Sequence, residues 1–229
     1  MRVRLVYFYE KRSDNLNRYN IPSPIATVIN WSYCVSNGYL VFIPDVVFRK
    51  GEPGASSYDA VVSGVKSLID RYDFIDKDRI ALNGHSWGGY QIAFLVTRTN
   101  MFKAAVSGAP VVNMTSAYGG IRWESGKSRM FQYEQTQSRI GGTLWDKPAE
   151  FIRNSPLFFL PQVQTPVLIM HNDKDGSVMW EQGIEFFMAL RRLDKPVWLF
   201  NYKGEGHHLK KWENRLDYSR RVMEFYDYY

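Results

Sequence analysis

GHSWGGY, residues 84–90, sets a serine between two glycine-bearing flanks, with a histidine and a tryptophan as its neighbours. Upstream, DRIALNG reads as a short apolar strand. Downstream, GYQIAFLV begins a helix that is apolar almost all round and therefore central. Gly84-His85-Ser86-Trp87-Gly88 is thus a G-x-S-x-G pattern at a strand-to-helix turn, the setting of a nucleophile elbow. The pattern alone arises by chance; the strand and helix on either side give it weight. Such a turn is sharp, and glycine is needed where backbone passes too close for a side chain. It lifts the Ser86 hydroxyl above the carboxyl edge of a sheet. It also aims the Trp87 backbone N–H, at the helix start, toward developing negative charge.

The rest of the chain repeats that strand–helix rhythm. Short β-rich apolar runs occur at Val3–Tyr9, Tyr39–Ile43, Ile80–Leu82, Ala104–Val106, Val167–Met170 and Val197–Phe200. Near-continuous hydrophobicity is expected of strands covered on both faces. Between them, Val61, Val65, Leu68 and Ile69 share a helical face, as do Trp180, Ile184, Phe187 and Met188, and Tyr218, Val222, Phe225 and Tyr226. The expected fold is α/β: a mostly parallel sheet with helices on both faces. With no internal repeat or linker, residues 1–229 read as a single domain. One stretch, about 113–156, breaks the rhythm with Gly119-Gly120, Gly141-Gly142 and many aromatic and arginine residues, and reads as an irregular cap-like insertion. Its Arg122, Arg129 and Arg139 are candidates to hold a ligand carboxylate or carbonyl, although arginine is most often a surface residue.

Composition removes other classes. The net charge of +6 is spread in short pairs such as Arg49-Lys50 and Arg191-Arg192, with no basic run of the kind that follows nucleic acid. No apolar run is long enough to span a bilayer. The start, MRVRLVYFYE, lacks the h-region and cleavage site of a signal peptide and reads as a strand that begins at once. The single cysteine, Cys34, excludes an internal disulfide and reads as an inert, partly buried thiol.

A serine hydroxyl needs a base, and the chain has four histidines. His85 lies inside the elbow and is expected to point away from where a base must stand. His171 ends an apolar strand and reads as packed and hydrogen-bonded. His207 and His208, in the glycine-flanked GEGHHL loop after the last strand, stand where the order Ser, acid, His puts the base. His207 is preferred, with His208 as the alternative. The acid belongs after the preceding strand, where HNDKDGSV offers Asp173 and Asp175 to hold the imidazole tautomer. An aspartate before glycine is also a common turn residue. Asp45, after an earlier strand, reads as structural.

At these residues the sequence resembles the catalytic domain of the prolyl oligopeptidase family of serine peptidases, which includes the dipeptidyl aminopeptidases. GHSWGGY matches the family's G-x-S-x-G-G-Y element, MHNDKDGSV its H-G-x-x-D-x-x-V element, and YKGEGHHL its G-E-x-H element. The resemblance implies an α/β-hydrolase fold and the triad Ser86, Asp175 and His207. It also implies an oxyanion hole made by the Trp87 N–H and a tyrosine after the first strand, Tyr9 in preference to Tyr7. A specificity pocket lined by Trp87, Val111, Met114, Tyr118 and Val178 follows from position; Val111 and Val178 read equally as core.

The chain departs from the family in three places. Asn172 stands where glycine usually follows the acid-loop histidine, and YEKRSD replaces the glycine-rich segment after the first strand. The β-propeller and edge strands that precede the hydrolase domain are missing, so the expectation is an excerpt or truncated homologue of a longer parent that carries a propeller. Such a chain would be cytoplasmic if Met1 is the native start, and periplasmic or secreted if cut from a longer parent. Exposed sheet edges could pair chains into oligomers.

Three functions compete. The leading one is a serine peptidase working through an acyl-enzyme on a peptide substrate, with no metal or organic cofactor because the nucleophile is intrinsic. A carboxylesterase would use the same triad, and a binding module that has lost activity belongs to a different class. No nucleic-acid or membrane partner is expected.

Overall fold

The six apolar runs form one six-stranded sheet in which every neighbouring pair is parallel. The computed structural model describes residues 4–229, so Val3, the first residue of the expected opening strand, lies outside the described residues. The strands are β1 (Arg4–Tyr7), β2 (Leu40–Phe42), β3 (Ile80–His85), β4 (Ala104–Gly108), β7 (Val167–Met170) and β8 (Val197–Phe200), and a separate antiparallel ribbon pairs β5 (Ile121–Arg122) with β6 (Lys127–Ser128). Across the sheet the order is β2-β1-β3-β4-β7-β8. β1 stops two residues short of Tyr9, whereas β3 runs on to His85 because its ladder with β4 continues that far.

The register levels the strand ends that matter. His85 pairs with Gly108, Gly108 with Met170, and Met170 with Phe200. Ser86, His171 and the β8 exit loop therefore begin at one height along the carboxyl edge of the sheet.

Strand residues alternate between two apolar layers, as the pleat requires. Leu5, Tyr7, Val106, Leu168 and Met170 pack toward α1 (Trp31–Ser36) and α8 (Trp212–Tyr228). Val6, Leu82, Ala105, Val167 and Ile169 pack toward α2 (Pro53–Arg71), α3 (Trp87–Val96) and α7 (Trp180–Arg192). Every residue of α3 is buried, as its all-round apolar sequence implies. Val61, Ile92 and Phe186 are fully buried here, and each such side chain contributes about 1.5–3 kcal/mol relative to exposure. α8 is also pinned to β3 by polar groups: the Tyr226 hydroxyl donates to Leu82 O and accepts from Asn83 Nδ2, both at 2.9 Å.

Two expectations change. α7 buries Gln182, Gly183, Phe186 and Leu190, while Met188, read as part of its inner face, is 58% exposed. A polar and a glycine residue hold the inward positions. Gln182 Oε1 accepts from Val112 N and Asn113 N, and Gly183 lets His171 approach so closely that a Cβ there would sit 2.5 Å from its Nδ1. The stretch 113–156 is also more ordered than its sequence suggested. It holds α4 (Met114–Tyr118), the β5–β6 ribbon, α5 (Met130–Glu134) and α6 (Pro148–Arg153). Met114, Ala117, Tyr118, Tyr133 and Phe151 from this stretch join Trp87, Tyr90 and Phe94 in a third apolar cluster.

Cys34 is buried, and that burial pushes its thiol up to about 12. Among the described residues no helix is long and apolar enough to cross a membrane.

Candidate active site

Ser86 occupies the turn between β3 and α3 at φ 59°, ψ −116°. This left-handed conformation is unfavourable for a residue with a side chain and persists only where the surroundings fix it. Two backbone bonds do so: Ser86 N donates to Gly108 O at 2.8 Å, and Tyr90 N donates to Ser86 O at 3.0 Å. The flanking glycines are required by close approach. A Cβ on Gly84 would meet Gly88 O at 2.8 Å, one on Gly88 would meet Phe8 O at 2.9 Å, and one on Gly89 would meet Gly108 O at 2.3 Å. Trp87 follows as the first helical residue, so its N–H belongs to the helix-start donors with no intrahelical acceptor.

The acid and base loops meet beside this turn. Asp175 is almost wholly buried, and its Oδ2 lies 2.7 Å from His207 Nδ1. Its Oδ1 accepts from Ser177 N and Val178 N, both at 2.8 Å. Burial pushes the Asp175 carboxyl up, but hydrogen bonds from His171 and His207 outweigh it and hold the group well below the usual carboxylate range. An ionised Asp175 leaves the proton on His207 Nδ1 and frees Nε2 to accept one. Ser86 and His207 line the same cleft, of about 470 Å³. Asp173, the alternative acid, instead braces the base loop by accepting from Gly204 N at 2.8 Å. His208, the alternative base, is exposed and lies against His207 with ring centroids 4.9 Å apart.

Neighbouring side chains fix these loops. Glu205 accepts from Lys210 N and Lys211 N at 2.9 Å and from Asn214 Nδ2 at 2.7 Å, which anchors the base loop to the start of α8. Asn172 bridges the two loops: Nδ2 donates to Gly206 O at 2.8 Å, and Oδ1 accepts from Tyr202 N at 3.0 Å. His171 is packed and hydrogen-bonded, as read. It also touches the acid, which the sequence did not reveal: Nε2 is 3.1 Å from Val178 O and 3.3 Å from Asp175 Oδ2. A carbonyl only accepts, so that nitrogen carries the proton.

The orientation expected for His85 is corrected. Its ring does not point away from the base but lies 4.6 Å from the His207 ring, centroid to centroid. Strand parity is the reason: His85 shares the side of Asn83, which faces α8, and the base loop leads into α8. Burial, reinforced by the neighbouring His207 and His208, pushes the His85 pKa well down and keeps the ring neutral.

Tyr9 and Tyr7 both line the cleft. Tyr9 lies beyond the end of β1, its ring packs near the elbow, and its hydroxyl accepts from Gln137 Nε2 at 3.1 Å. Tyr7 stacks on Trp31 within the α8-side core. Of the residues expected to form a specificity pocket, Trp87, Val111 and Val178 line the cleft. Met114 and Tyr118 do not reach it. They are buried in the cluster behind, where the Tyr118 hydroxyl donates to Glu134 Oε1. α4 turns these side chains inward because the 113–156 stretch has an apolar centre of its own to fill.

Polar groups complete the cleft wall: Arg122 and Arg129, candidates from the sequence, and Arg12 and Glu124, which the sequence did not single out. Arg122 Nη2 donates to Ser177 Oγ at 3.0 Å, and that hydroxyl donates to Glu124 Oε2 at 3.1 Å. Arg129 donates to Ser177 O and to the Tyr133 hydroxyl. Arg12 lies over the Tyr9 ring, 5.0 Å from its centroid.

Residues 29–229 match the prolyl oligopeptidase family. This chain belongs to that family. Among its relatives, an uncharacterized peptidase of Bacillus subtilis, YuxL, is 31% identical over 166 residues, which are 71% of this chain and 23% of the relative. The acylamino-acid-releasing enzyme of Rattus norvegicus is 28% identical over 169 residues, 73% of this chain and 22% of that enzyme. Human dipeptidyl peptidase 8 is 27% identical over 177 residues, 77% of this chain and 18% of that protein. The chain therefore spans less than a quarter of each of these three prolyl oligopeptidase relatives.

Solved structures agree on the α/β-hydrolase fold. A puromycin-hydrolyzing peptidase of Mycobacterium tuberculosis superposes with a TM-score of 0.75 at 20% identity, covering 99% of this chain and 34% of that one. The acylaminoacyl peptidase of Pyrococcus horikoshii gives 0.76 at 18% identity, covering 98% of this chain and 37% of that one.

Proposed function

We propose that this chain carries the catalytic centre of a serine peptidase. His207 Nε2 takes the Ser86 proton as Oγ attacks the carbonyl carbon of a peptide. Asp175 holds the tautomer and stabilises the imidazolium. The Trp87 N–H and the Tyr9 hydroxyl donate to the oxyanion. Collapse of the tetrahedral adduct breaks the C–N bond, the amine leaves with the proton from His207, and an acyl-Ser86 ester remains. Water, deprotonated by the same imidazole, then releases the acid and restores the serine. Trp87, Val111 and Val178 form the apolar wall against the substrate side chain. The single observation that carries this reading is the buried Asp175–His207 hydrogen bond of 2.7 Å, set in the cleft that Ser86 lines.

Relatives named as peptidases favour amide over ester substrates. Turnover of matched aminoacyl-anilide and aryl-ester substrates tests the point. Anilide cleavage lost in Ser86→Ala is expected; ester cleavage with no amide cleavage would instead identify a carboxylesterase.

A further inference from the structure

We propose that the cleft selects substrates bearing a carboxylate close to the scissile bond, through Arg12 and Arg122 with Arg129 behind them. The proposal rests on the peptidase reading above and names its substrate class. The three guanidinium groups line one cleft with Ser86 and His207, and among the described residues none of the three has a carboxylate within 4.0 Å. The cleft three differ from the chain's other arginines in standing together beside Ser86. Some arginines elsewhere are paired: Arg49 with Glu52 and Asp59, Arg221 with Asp217, and Arg139 with Glu10. Arg139, read from sequence as a third candidate, is thereby satisfied and excluded.

Among the described residues, the guanidinium groups of Arg122 and Arg129 donate to neutral acceptors only. Arg122 uses Ser177 Oγ and, at 3.4 Å, Gln132 Oε1. Arg129, itself buried, uses Ser177 O and the Tyr133 hydroxyl. Arg12 Nε is buried with no hydrogen-bond partner. Against these three cations one carboxylate lines the cleft among the described residues: Glu124, exposed and tied to Ser177 Oγ. Asp175, buried behind the cleft wall, is engaged by His207 and His171. His85 adds no positive charge because it is held neutral.

Arg129 is buried, and Arg12 and Arg122 are half-buried. A cation partly withdrawn from water without a counter-ion is poorly offset, and walls of low dielectric focus its field on whatever enters. A carboxylate supplies the missing partner, and the planar guanidinium fork can take both of its oxygens. An ammonium in the same place meets like charge and is rejected. The carboxylate can be an acidic side chain or a free chain terminus.

Two matched pairs of blocked peptides test this: one with glutamate against glutamine on the acyl side, one ending in a free acid against its amide on the leaving side. The expected result is about a tenfold higher kcat/KM for the carboxylate member of at least one pair, the size of one good charge-assisted contact. That preference shrinks severalfold in high salt and in Arg12→Gln or Arg122→Gln; which pair responds tells side chain from terminus. Equal turnover in both pairs overturns the proposal, as does a preference untouched by salt and by both substitutions. Fluorophosphonate labelling of the wild-type chain separates the two ideas: labelling without charge preference sinks only this one. If the chain does not label, the peptidase reading fails, and calorimetric binding of the blocked glutamate and glutamine peptides still measures the charge preference.

Discussion

Asn172 ties the loop that carries Asp175 to the loop that carries His207, donating to Gly206 O at 2.8 Å one residue before the histidine. Glycine is usual at this position in the prolyl oligopeptidase pattern that the sequence resembles; in this chain the bridge holds the two loops in register. Asn172→Ala is expected to lower kcat by roughly 10–100-fold with little change in KM, the cost of an imidazole displaced by about 1 Å. Steady-state kinetics beside a melting curve decides it; a fall in KM-dependent binding alone would mean the bridge does not position the base.

Asp175 makes acid stability depend on His171. The folded carboxyl sits below its unfolded pKa, so in the acid range the unfolded chain binds more protons and stability rises with pH. The contribution is complete above the ordinary value of about 3.9 and is lost as pH falls below it. His171→Gln removes one donor to Asp175 and raises that folded pKa. Acid unfolding followed by circular dichroism should therefore move to higher pH in the variant; an unmoved midpoint would deny His171 this role.

His85 acts in a higher window with the same sign. Its folded pKa is depressed, so below about 6.5 the unfolded chain takes up a proton that the folded chain refuses. Stability should fall by up to about 1.4 kcal/mol per pH unit through that window as pH drops. His85→Gln is expected to flatten the slope between pH ~6.5 and ~5. Urea titrations at several pH values measure it, and identical slopes in the two proteins would count against a neutral buried ring.

Gly89 brings α3 against β4, with Ser107 Oγ also donating to Gly89 O at 2.9 Å. A methyl there would stand 2.3 Å from backbone oxygen of Gly108, which cannot swing aside as a side chain would. Gly89→Ala should cost about 1–3 kcal/mol and lower Tm by several degrees. An unchanged Tm would show that helix and strand separate freely.

Much of this candidate site was legible because its residues lie in short local patterns. Gly84, Ser86 and Gly88 announce a sharp turn, and Asp175 and His207 sit on loops whose order along the chain follows from the strands before them. What escaped the sequence depended on facing between elements. The side His85 takes is set by β3 parity relative to α8, which no local pattern records. The inner face of α7 was misjudged because Gln182 and Gly183 hold positions that an apolar count assigns to larger residues. Met114 and Tyr118 lie near Val111 in sequence, yet α4 turns them into the 113–156 core and away from the cleft. Arg12 and Arg122 reach one cleft from segments more than a hundred residues apart, and only the folded chain reveals that they lack acids.

The most direct test of the account is covalent labelling with a neutral fluorophosphonate, mapped by peptide mass. A single adduct on Ser86, abolished in Ser86→Ala and slowed by several orders of magnitude in His207→Ala, is the predicted result. Folded protein that takes no label, or takes it equally well without His207, would contradict an activated serine at this site.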